Sequence, residues 1–272
     1  MAASATPNAD MQGHAAIVVD AFMHSLVLHY TLWLAAYSLA YALVFIWFRE
    51  HLRPWKLNAR DPPPRTIRRE IGHSAVSVLV CVVWDVLLGQ VAHFTNSQAS
   101  SADINDVGLF SRVQWHLVPV LVLWADAHFY WFHRLMHESS WLYQKVHKVH
   151  HESHDPDPWS GLSFHPVESA LYFSSLCIVL VLPMHRLTYD IFRISLLLSP
   201  IGGHIGHGHP SCPIGYDHWV HHTKFMYNFG SGLFPYNGIW DNLCGTGFHE
   251  GSSPTQLRSA KGDFQAAAAK TS

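Results

Sequence analysis

The sequence predicts an all-α integral membrane protein with about four transmembrane helices. Hydrophobic residues make up 49% of the chain and charged residues only 13%, about half the charged fraction of a soluble domain. The first long apolar run, 25–48, has no charged residue and is long enough to cross a hydrocarbon core of about 30 Å. Four more apolar stretches follow it. We expect a lumenal tail, 1–24, a single membrane-embedded domain, 25–250, and a flexible tail, 251–272.

A basic loop follows the first predicted span. Residues 49–70 contain seven Lys and Arg residues, and Pro62, Pro63 and Pro64 interrupt any helix through the middle of this segment. The tail 1–24 contains neither Lys nor Arg. By the positive-inside rule, the loop is predicted to face the cytosol and the tail the lumen. The net charge of −2 gives no basic surface suited to nucleic acid, so no nucleic-acid partner is expected.

Two further spans are predicted to run in alternating directions. The segment 74–92 returns to the lumenal side in spite of Asp85, and the loop 93–114 is predicted to be lumenal because it contains two Asp and a single Arg. The apolar segment 115–132 has tryptophan near both ends, as segments at membrane interfaces often do. This third span brings the chain back to the cytosolic side.

Two shorter apolar stretches, 169–184 and 187–203, are predicted to form a helical hairpin. Each limb is short for a full span, and the second limb contains Asp190 and Arg193. The hairpin therefore either crosses the membrane and returns or is re-entrant. In both cases its two ends lie on one side, so that the polar segments before and after it are able to meet.

Three clusters of histidine lie outside these spans. Spacings of three and four residues put side chains on one face of a helix, where several imidazoles are able to bind one metal ion. One cluster alone is more simply explained as a solvated helix face, but three in a small chain favour a metal site. At least eight candidate ligands, all imidazoles, indicate two ions of iron, zinc or copper. The clusters are His133 and His137, then His147, His150 and His151, and then His218, His221 and His222.

Two common metal sites do not fit these residues. A zinc protease needs a glutamate inside HExxH, and neither Leu135 nor Val149 provides a base within its cluster. A carboxylate-bridged di-iron bundle needs Glu-x-x-His pairs from two helices, which the sequence lacks.

The order of the motifs resembles the fatty acid hydroxylase/sterol desaturase superfamily of membrane di-iron oxygenases, over about 126–247. This resemblance implies that the histidine boxes hold two irons above the cytosolic membrane face, in a histidine-rich helical cap beside a slot for a lipid. The matching motifs are His133 to His137, His147 to His151, GLSFHPVE at 161–168, GHG at 206–208, DHWVHH at 217–222, YNFG at 227–230, Trp240-Asp241 and Gly245-Thr246.

The metal ligands are carried over from these motifs. Between the hairpin and the final box, His204, His207 and His209 compete for one or two ligand places. The following glycine favours His207, with His204 as a further candidate. The implied ligands are His133, His137, His147, His150, His151, His207, His218, His221 and His222.

Further residues are expected to hold the ligands in position without binding metal. A metal-bound imidazole usually donates its other N–H to a carboxylate or carbonyl group, although helix capping explains each acid equally well. The proline after His165 fits a turn better than a ligating helix face. The residues expected in this supporting role are Asp126, His165, Glu168, Asp217, Asn228 and Asp241.

The resemblance implies an O2-dependent hydroxylase or desaturase of a lipid, because side chains alone do not oxidise an unactivated C–H bond. The segment 159–166 and the ending His221-His222-Thr223 are closest to the sterol C5-desaturase and methylsterol oxidase branch, so a sterol is the favoured substrate. Hydroxylation of a fatty acyl, sphingoid or carotenoid substrate is the alternative function. Rivals of another class are a non-redox zinc hydrolase and a membrane metal transporter, whose histidines would lie at the bilayer midplane.

Electrons are expected to come from another protein. The sequence has no haem-binding HPGG segment and no Gly-rich dinucleotide fingerprint. The resemblance implies NAD(P)H as the electron source, with cytochrome b5 or a similar carrier and its reductase. The loop 49–70 is suited to an acidic carrier, and equally to anionic lipid. The expected location is the endoplasmic reticulum membrane, with the two irons on the cytosolic face and zinc as the alternative metal in a purified sample.

Overall fold

The structure is a computed structural model that describes residues 7–92, 94, 113–209, 215–231 and 238–248. Side chains are described from residue 13 onward within these ranges. Every regular element in this part of the chain is helical, and one isolated bridge joins Lys56 to His207. The predicted all-α class is confirmed.

The α-helices of the described residues are α1 (Pro7–Tyr41), α2 (Arg49–Leu52), α3 (Pro64–Val91), α4 (Val118–Glu138), α5 (Ser140–Leu142), α6 (Lys148–His151), α7 (Pro166–Phe173), α8 (Arg186–Leu198), α9 (Pro200–Gly203), α10 (Tyr216–Lys224) and α11 (Gly238–Cys244). Shorter segments connect them. These are the π-helices Ala42–Trp47 and Tyr143–His147 and the 3-10 helices Arg53–Trp55, Trp115–Leu117, Pro158–Leu162 and Ser174–Leu180.

Among the described residues, two helical segments are long and apolar enough to cross a membrane, Gly13–Trp47 and Pro64–Val91. They overlap the first two predicted spans. Large apolar side chains are exposed on both, such as Leu34 on the first and Leu87 on the second, as contact with lipid requires. α3 begins at Pro64, since the fixed φ of proline and its missing N–H suit a first helical position. The third span and the full crossing of the hairpin stay predictions.

The predicted hairpin is formed by α7 with its 3-10 continuation and by α8. The limbs are tied together by Tyr172, whose hydroxyl donates to Leu196 O at 2.8 Å. The turn between them lies beside the start of α4, because His185 N donates to the side chain of Gln114 at 2.7 Å. The hairpin therefore runs along α4 and returns, with both outer ends at the same end of the molecule.

A buried ion pair explains why charged residues occur in these apolar helices. Arg193 on α8 donates to Asp85 on α3, and both side chains are almost fully buried. Ser25 on α1 donates to the same carboxylate at 2.7 Å. The charges that weaken the predicted spans thus neutralise one another, as intramembrane charges generally must.

An aromatic and hydroxyl-rich core joins α1 and α3 to the segment that follows the second histidine box. Trp159 lies 5.7 Å from Trp33 and 6.0 Å from Tyr37, measured between ring centroids. Ser74 of α3 donates to Trp159 O at 2.8 Å, and Tyr37 donates to Leu197 O at 2.9 Å. These contacts position the loop that follows His150 and His151 and the end of α8, which precedes His204 in the chain.

Candidate metal centre

Two groups of buried histidines adjoin one another at the cytosol-facing end predicted for the helices. Within each group, one ring nitrogen from every histidine lies within 4.8 Å of all the others. Every histidine in both groups is buried. The first contains five histidines, His133, His137, His147, His151 and His221, and the second contains four, His150, His204, His218 and His222.

The HxxHH pattern divides its histidines between the two groups. Successive helical residues point about 100° apart, whereas residues four apart share a face. His147 and His151 therefore enter the five-histidine group, and His150 points into the four-histidine group. The final box on α10 does the reverse, since His218 and His222 enter the four-histidine group and His221 the five-histidine group. Each HxxHH box therefore contributes histidines to both groups, whereas the first box contributes only to the five-histidine group.

In the five-histidine group the Nε2 atoms converge. His147 Nε2 lies 3.1 Å from His133 Nε2 and 3.0 Å from His151 Nε2. His151 Nε2 is also 3.1 Å from the Nε2 atoms of His137 and His221. Adjacent ligands at 90° around a metal with bonds of about 2.1 Å are separated by roughly 3.0 Å. The spacing therefore fits a metal coordination shell.

The four-histidine group has the same spacing. His204 Nε2 lies 3.2 Å from His150 Nε2 and 3.1 Å from His218 Nε2, and His222 Nε2 lies 3.1 Å from His218 Nε2. A neutral imidazole has one N–H, so a ring of mutually close nitrogens cannot be satisfied by hydrogen bonds alone. The donor set fits a metal ion that accepts imidazole.

Burial keeps these imidazoles neutral. The pKa values of His147, His151, His218 and His222 lie well below the usual value, first because of burial and then because neighbouring imidazoles oppose a second positive charge. Burial also lowers the pKa of His204 to about 4. Since only the neutral form has a free lone pair, the environment prepares the rings to bind metal.

Four ligand candidates have their other nitrogen fixed by an acceptor. For His147 the acceptor is a carboxylate, since its Nδ1 donates to Glu168 Oε1 at 2.7 Å. The other three donate to backbone carbonyls, which are Phe229 O for His133, Pro200 O for His204 and Tyr227 O for His221, at 2.8 to 2.9 Å. A proton held on Nδ1 leaves the Nε2 lone pair directed into the group.

Asp241 fixes the loop that supplies one of these carbonyls. Its carboxylate accepts from Phe229 N at 2.9 Å, Gly230 N at 2.6 Å and the hydroxyl of Thr246 at 2.7 Å. Burial raises the pKa of Asp241 to about 6, and these three hydrogen bonds oppose that rise. The Phe229 carbonyl is thereby held against His133.

Other residues predicted to support the ligands have different surroundings. Asn228 donates to Asp217 O at 3.2 Å and accepts from Phe248 N at 2.8 Å, which joins α10 to the segment after α11. Asp126 accepts from Ser231 at 2.6 Å. His165 lies outside both groups, where its Nδ1 accepts from the backbone of α7 and caps that helix.

His207 is not brought into either group. Its Nδ1 donates to Ile205 O at 3.0 Å, and its ring packs 5.4 Å from Phe45 in the π-helix Ala42–Trp47. Gly206 has a φ of 69°, and a side chain there would overlap Pro156 O, so the chain turns sharply after His204. The place that the sequence assigned to His207 is taken by His204, which follows α9 directly.

Tyr143 was not identified from the sequence. Its ring lies 5.4 Å from His137 and 5.9 Å from His151, so it covers the outer side of the five-histidine group. Its position one helical turn before His147 is the sequence feature that could have indicated this contact.

Comparison with known proteins agrees with this geometry. The family described as Fatty acid hydroxylase matches residues 118–246. The chain is 24% identical to lathosterol oxidase of Mus musculus over 70% of this chain and 65% of the relative. It is 30% identical to a Delta(7)-sterol 5(6)-desaturase of Candida albicans, over 52% of this chain and 36% of the relative. Cholesterol 25-hydroxylase of Mus musculus is 31% identical, over 48% of this chain and 46% of the relative.

The chain therefore spans about two thirds of the mouse lathosterol oxidase and less than half of the other two relatives. No solved structure matches it significantly. The predicted resemblance to the fatty acid hydroxylase/sterol desaturase superfamily is confirmed, and residues 118–246 carry it.

Proposed function

We propose that this protein is a membrane-embedded di-iron oxidoreductase that uses O2 and external electrons to hydroxylate or desaturate a lipid, with a sterol as the substrate class. The observation that carries the proposal is the pair of adjoining histidine groups, whose Nε2 atoms converge at coordination spacing. The printed names of the matched relatives, which are sterol desaturases and a sterol hydroxylase, support the substrate class.

The five-histidine and four-histidine groups would each hold one iron, and the bound pair would supply the reduction of O2 and the oxidation of a C–H bond. The protein contributes orientation and a dry environment. Glu168 and three backbone carbonyls hold protons on Nδ1, which keeps each Nε2 available. The burial of both groups limits the access of bulk water, which protects a reactive centre from side reactions.

The site is proposed to lie on the cytosolic side, because the basic loop 49–70 is packed against it. Asn58 in this loop donates to His154 O at 2.8 Å, just after the second box. Its side-chain oxygen accepts from Trp219 on α10 at 2.9 Å. The positive-inside rule places such a loop in the cytosol, so the adjoining metal centre is assigned to the same face of a multi-pass endoplasmic reticulum protein.

An acidic electron carrier such as cytochrome b5 is the proposed partner. Lys145 and Lys148 are exposed beside the second box, and Arg68 is exposed on the adjoining start of α3. Part of the basic loop is already neutralised, since Arg49 and Lys56 both pair with Asp61 at 2.7 and 3.0 Å. A carrier would therefore dock beside the second box in preference to the tip of the loop.

Reconstitution tests this function. The purified, iron-loaded protein is supplied with lathosterol or cholesterol, NADPH, ¹⁸O2, cytochrome b5 and its reductase, and sterol products are measured by mass spectrometry. We expect product only when the carrier and reductase are present, because electrons must be delivered before O2 reacts. Product without a reductant, or hydroxyl oxygen derived from water, would instead indicate a hydrolase or hydratase. Zinc-loaded protein is the matched control and should be inactive.

A further inference from the structure

A polar pair interrupts the apolar surface between α4 and the hairpin. It consists of His128 on α4 and Ser174, the first residue of the 3-10 helix Ser174–Leu180, with His128 Nε2 3.0 Å from Ser174 Oγ. His128 precedes the ligand candidate His133 by five residues, or about 7.5 Å along the helix axis. In the predicted third span a polar side chain is costly, and such side chains commonly mark a substrate path.

The hydrogen bonds determine which nitrogen of His128 carries the proton. Ser174 Oγ lies 2.6 Å from Leu171 O, and a carbonyl only accepts, so the serine proton is committed to that bond. Ser174 Oγ must then accept from His128, which places the imidazole proton on Nε2. The ring packs on Trp124 and Phe132, at 5.6 and 5.1 Å between centroids.

The other nitrogen of His128 is open to a ligand. With the proton on Nε2, Nδ1 has an acceptor lone pair. Nδ1 has no hydrogen-bond partner among the described residues, and it is not one of the enclosed unpaired atoms. An accessible acceptor among apolar rings selects a hydrogen-bond donor, and the donor that a neutral membrane lipid offers is a hydroxyl group.

Aromatic rings connect this nitrogen to the metal centre along α4. The ring of Phe132, which contacts His128, lies 5.6 Å from Phe129, and Phe129 lies 4.9 Å from His133. A lipid bound along these rings would have its hydroxyl at His128 and its apolar body towards the five-histidine group.

The hairpin provides the second side of this path. Tyr172 lies 6.0 Å from Phe129, and Phe164 lies 5.5 Å from Tyr172 and 5.0 Å from the ligand candidate His150. The aromatic path therefore reaches both histidine groups.

We propose that His128 binds the hydroxyl group of the lipid substrate through Nδ1, and that Ser174 positions it by holding the proton on Nε2. This inference rests on the proposed function and restricts its substrate to lipids with a free hydroxyl, such as sterols and sphingoid bases. Lipids without one, such as acyl esters and carotenes, lack the group that this site recognises.

The test compares matched ligands that differ only in the hydroxyl. Binding of cholesterol and cholesteryl methyl ether, and of hexadecanol and hexadecyl methyl ether, is measured with iron-loaded full-length protein in nanodiscs, without electron donors. One hydrogen bond predicts that the wild-type protein binds the alcohol about three- to tenfold more tightly in at least one pair. His128→Phe keeps an aromatic ring and should abolish the preference, whereas Ser174→Ala should reduce it.

The control is His116→Phe, because His116 is exposed at the far end of the α4 region. It should keep the preference, and all variants should bind wild-type amounts of iron. The site assignment is overturned if the wild-type protein shows no preference in either pair, or if His128→Phe retains it. A preference that depends on His128 in a protein without O2-dependent lipid oxidation would instead support the site and reject the proposed oxidation.

Discussion

Glu168 is expected to control how tightly the five-histidine group binds metal. Its Oε1 accepts the Nδ1 proton of His147 at 2.7 Å, and both side chains are buried. Glu168→Ala would leave this N–H enclosed without an acceptor. Glu168→Gln keeps a carbonyl oxygen but removes the negative charge that makes His147 a stronger ligand.

The magnitude follows from the burial of this contact. Loss of a ligand's hydrogen-bond partner typically lowers metal affinity 10- to 100-fold, which corresponds to about 1.4 to 2.8 kcal/mol. We expect Glu168→Ala near the 100-fold end, because water does not reach the buried N–H, and Glu168→Gln near tenfold. Glu50→Gln is the matched control, since the side chain of Glu50 is 77% exposed and pairs with Arg53 at the surface.

Competition with a calibrated chelator measures this effect. The protein is expected to bind two ions, and the Glu168 variants should weaken one binding step and leave the other near its wild-type value. Thermal unfolding of each metal-loaded variant provides a check on folding. Wild-type affinity for both ions in Glu168→Ala, or an equal loss of both, would refute the assignment of Glu168 to one ion.

Three further predictions concern ligation, pH dependence and topology. His150→Ala should lower bound metal and reduce turnover by more than about 100-fold, because losing a ligand costs more than losing the hydrogen-bond partner of a ligand. The control His14→Ala should match the wild type. Normal metal binding by His150→Ala would show that His150 is not a ligand. Burial raises the pKa of Asp157 to about 7, so the folded protein retains a proton that the unfolded chain releases near pH 4, and stability should fall as pH rises from about 4 to 7. Asp157→Asn should remove up to about 4 kcal/mol of that loss of stability. Thermal unfolding across this pH range measures the effect, and a variant whose stability depends on pH as strongly as that of the wild type would contradict the role of Asp157. Single cysteines replacing Arg60 and His116 should be labelled from opposite sides of sealed vesicles, and labelling from the same side would overturn the topology.

Local spacing explains what could be predicted from the sequence. His133 and His137 are one turn apart, and α4 places both in the five-histidine group. HxxHH at 147–151 and 218–222 predicts a shared helix face for its first and last histidines, which the structure also brings together. Spacing alone does not assign the middle histidine to a second group, because that depends on how the helices pack.

The segment between the hairpin and the final box shows where local spacing fails. His204 and His207 are both plausible from the sequence. The choice depends on the turn at Gly206, whose close approach to Pro156 O is a tertiary contact. In the same way, the backbone carbonyl of Phe229 supports His133 across 96 positions of the chain, and residue type gives no signal for a carbonyl acceptor.

Hydropathy predicts the two limbs of the hairpin, but it does not predict the helix type within the first limb. The first limb changes from α7 to a 3-10 helix at Ser174. At this change, Ser174 Oγ lies 3.0 Å from His128 Nε2. Hydropathy reports burial of a segment but does not distinguish these two helical geometries.

The two histidine groups are proposed to hold two irons that couple O2 to lipid oxidation. Mössbauer spectroscopy of ⁵⁷Fe-loaded protein, combined with metal analysis, tests it most directly. We expect two nitrogen-ligated irons per chain, both lost in a His150→Ala/His221→Ala double variant, and consumption of O2 only when both the lipid and the electron carrier are present. A single metal per chain, or lipid conversion by metal-free protein, would contradict it.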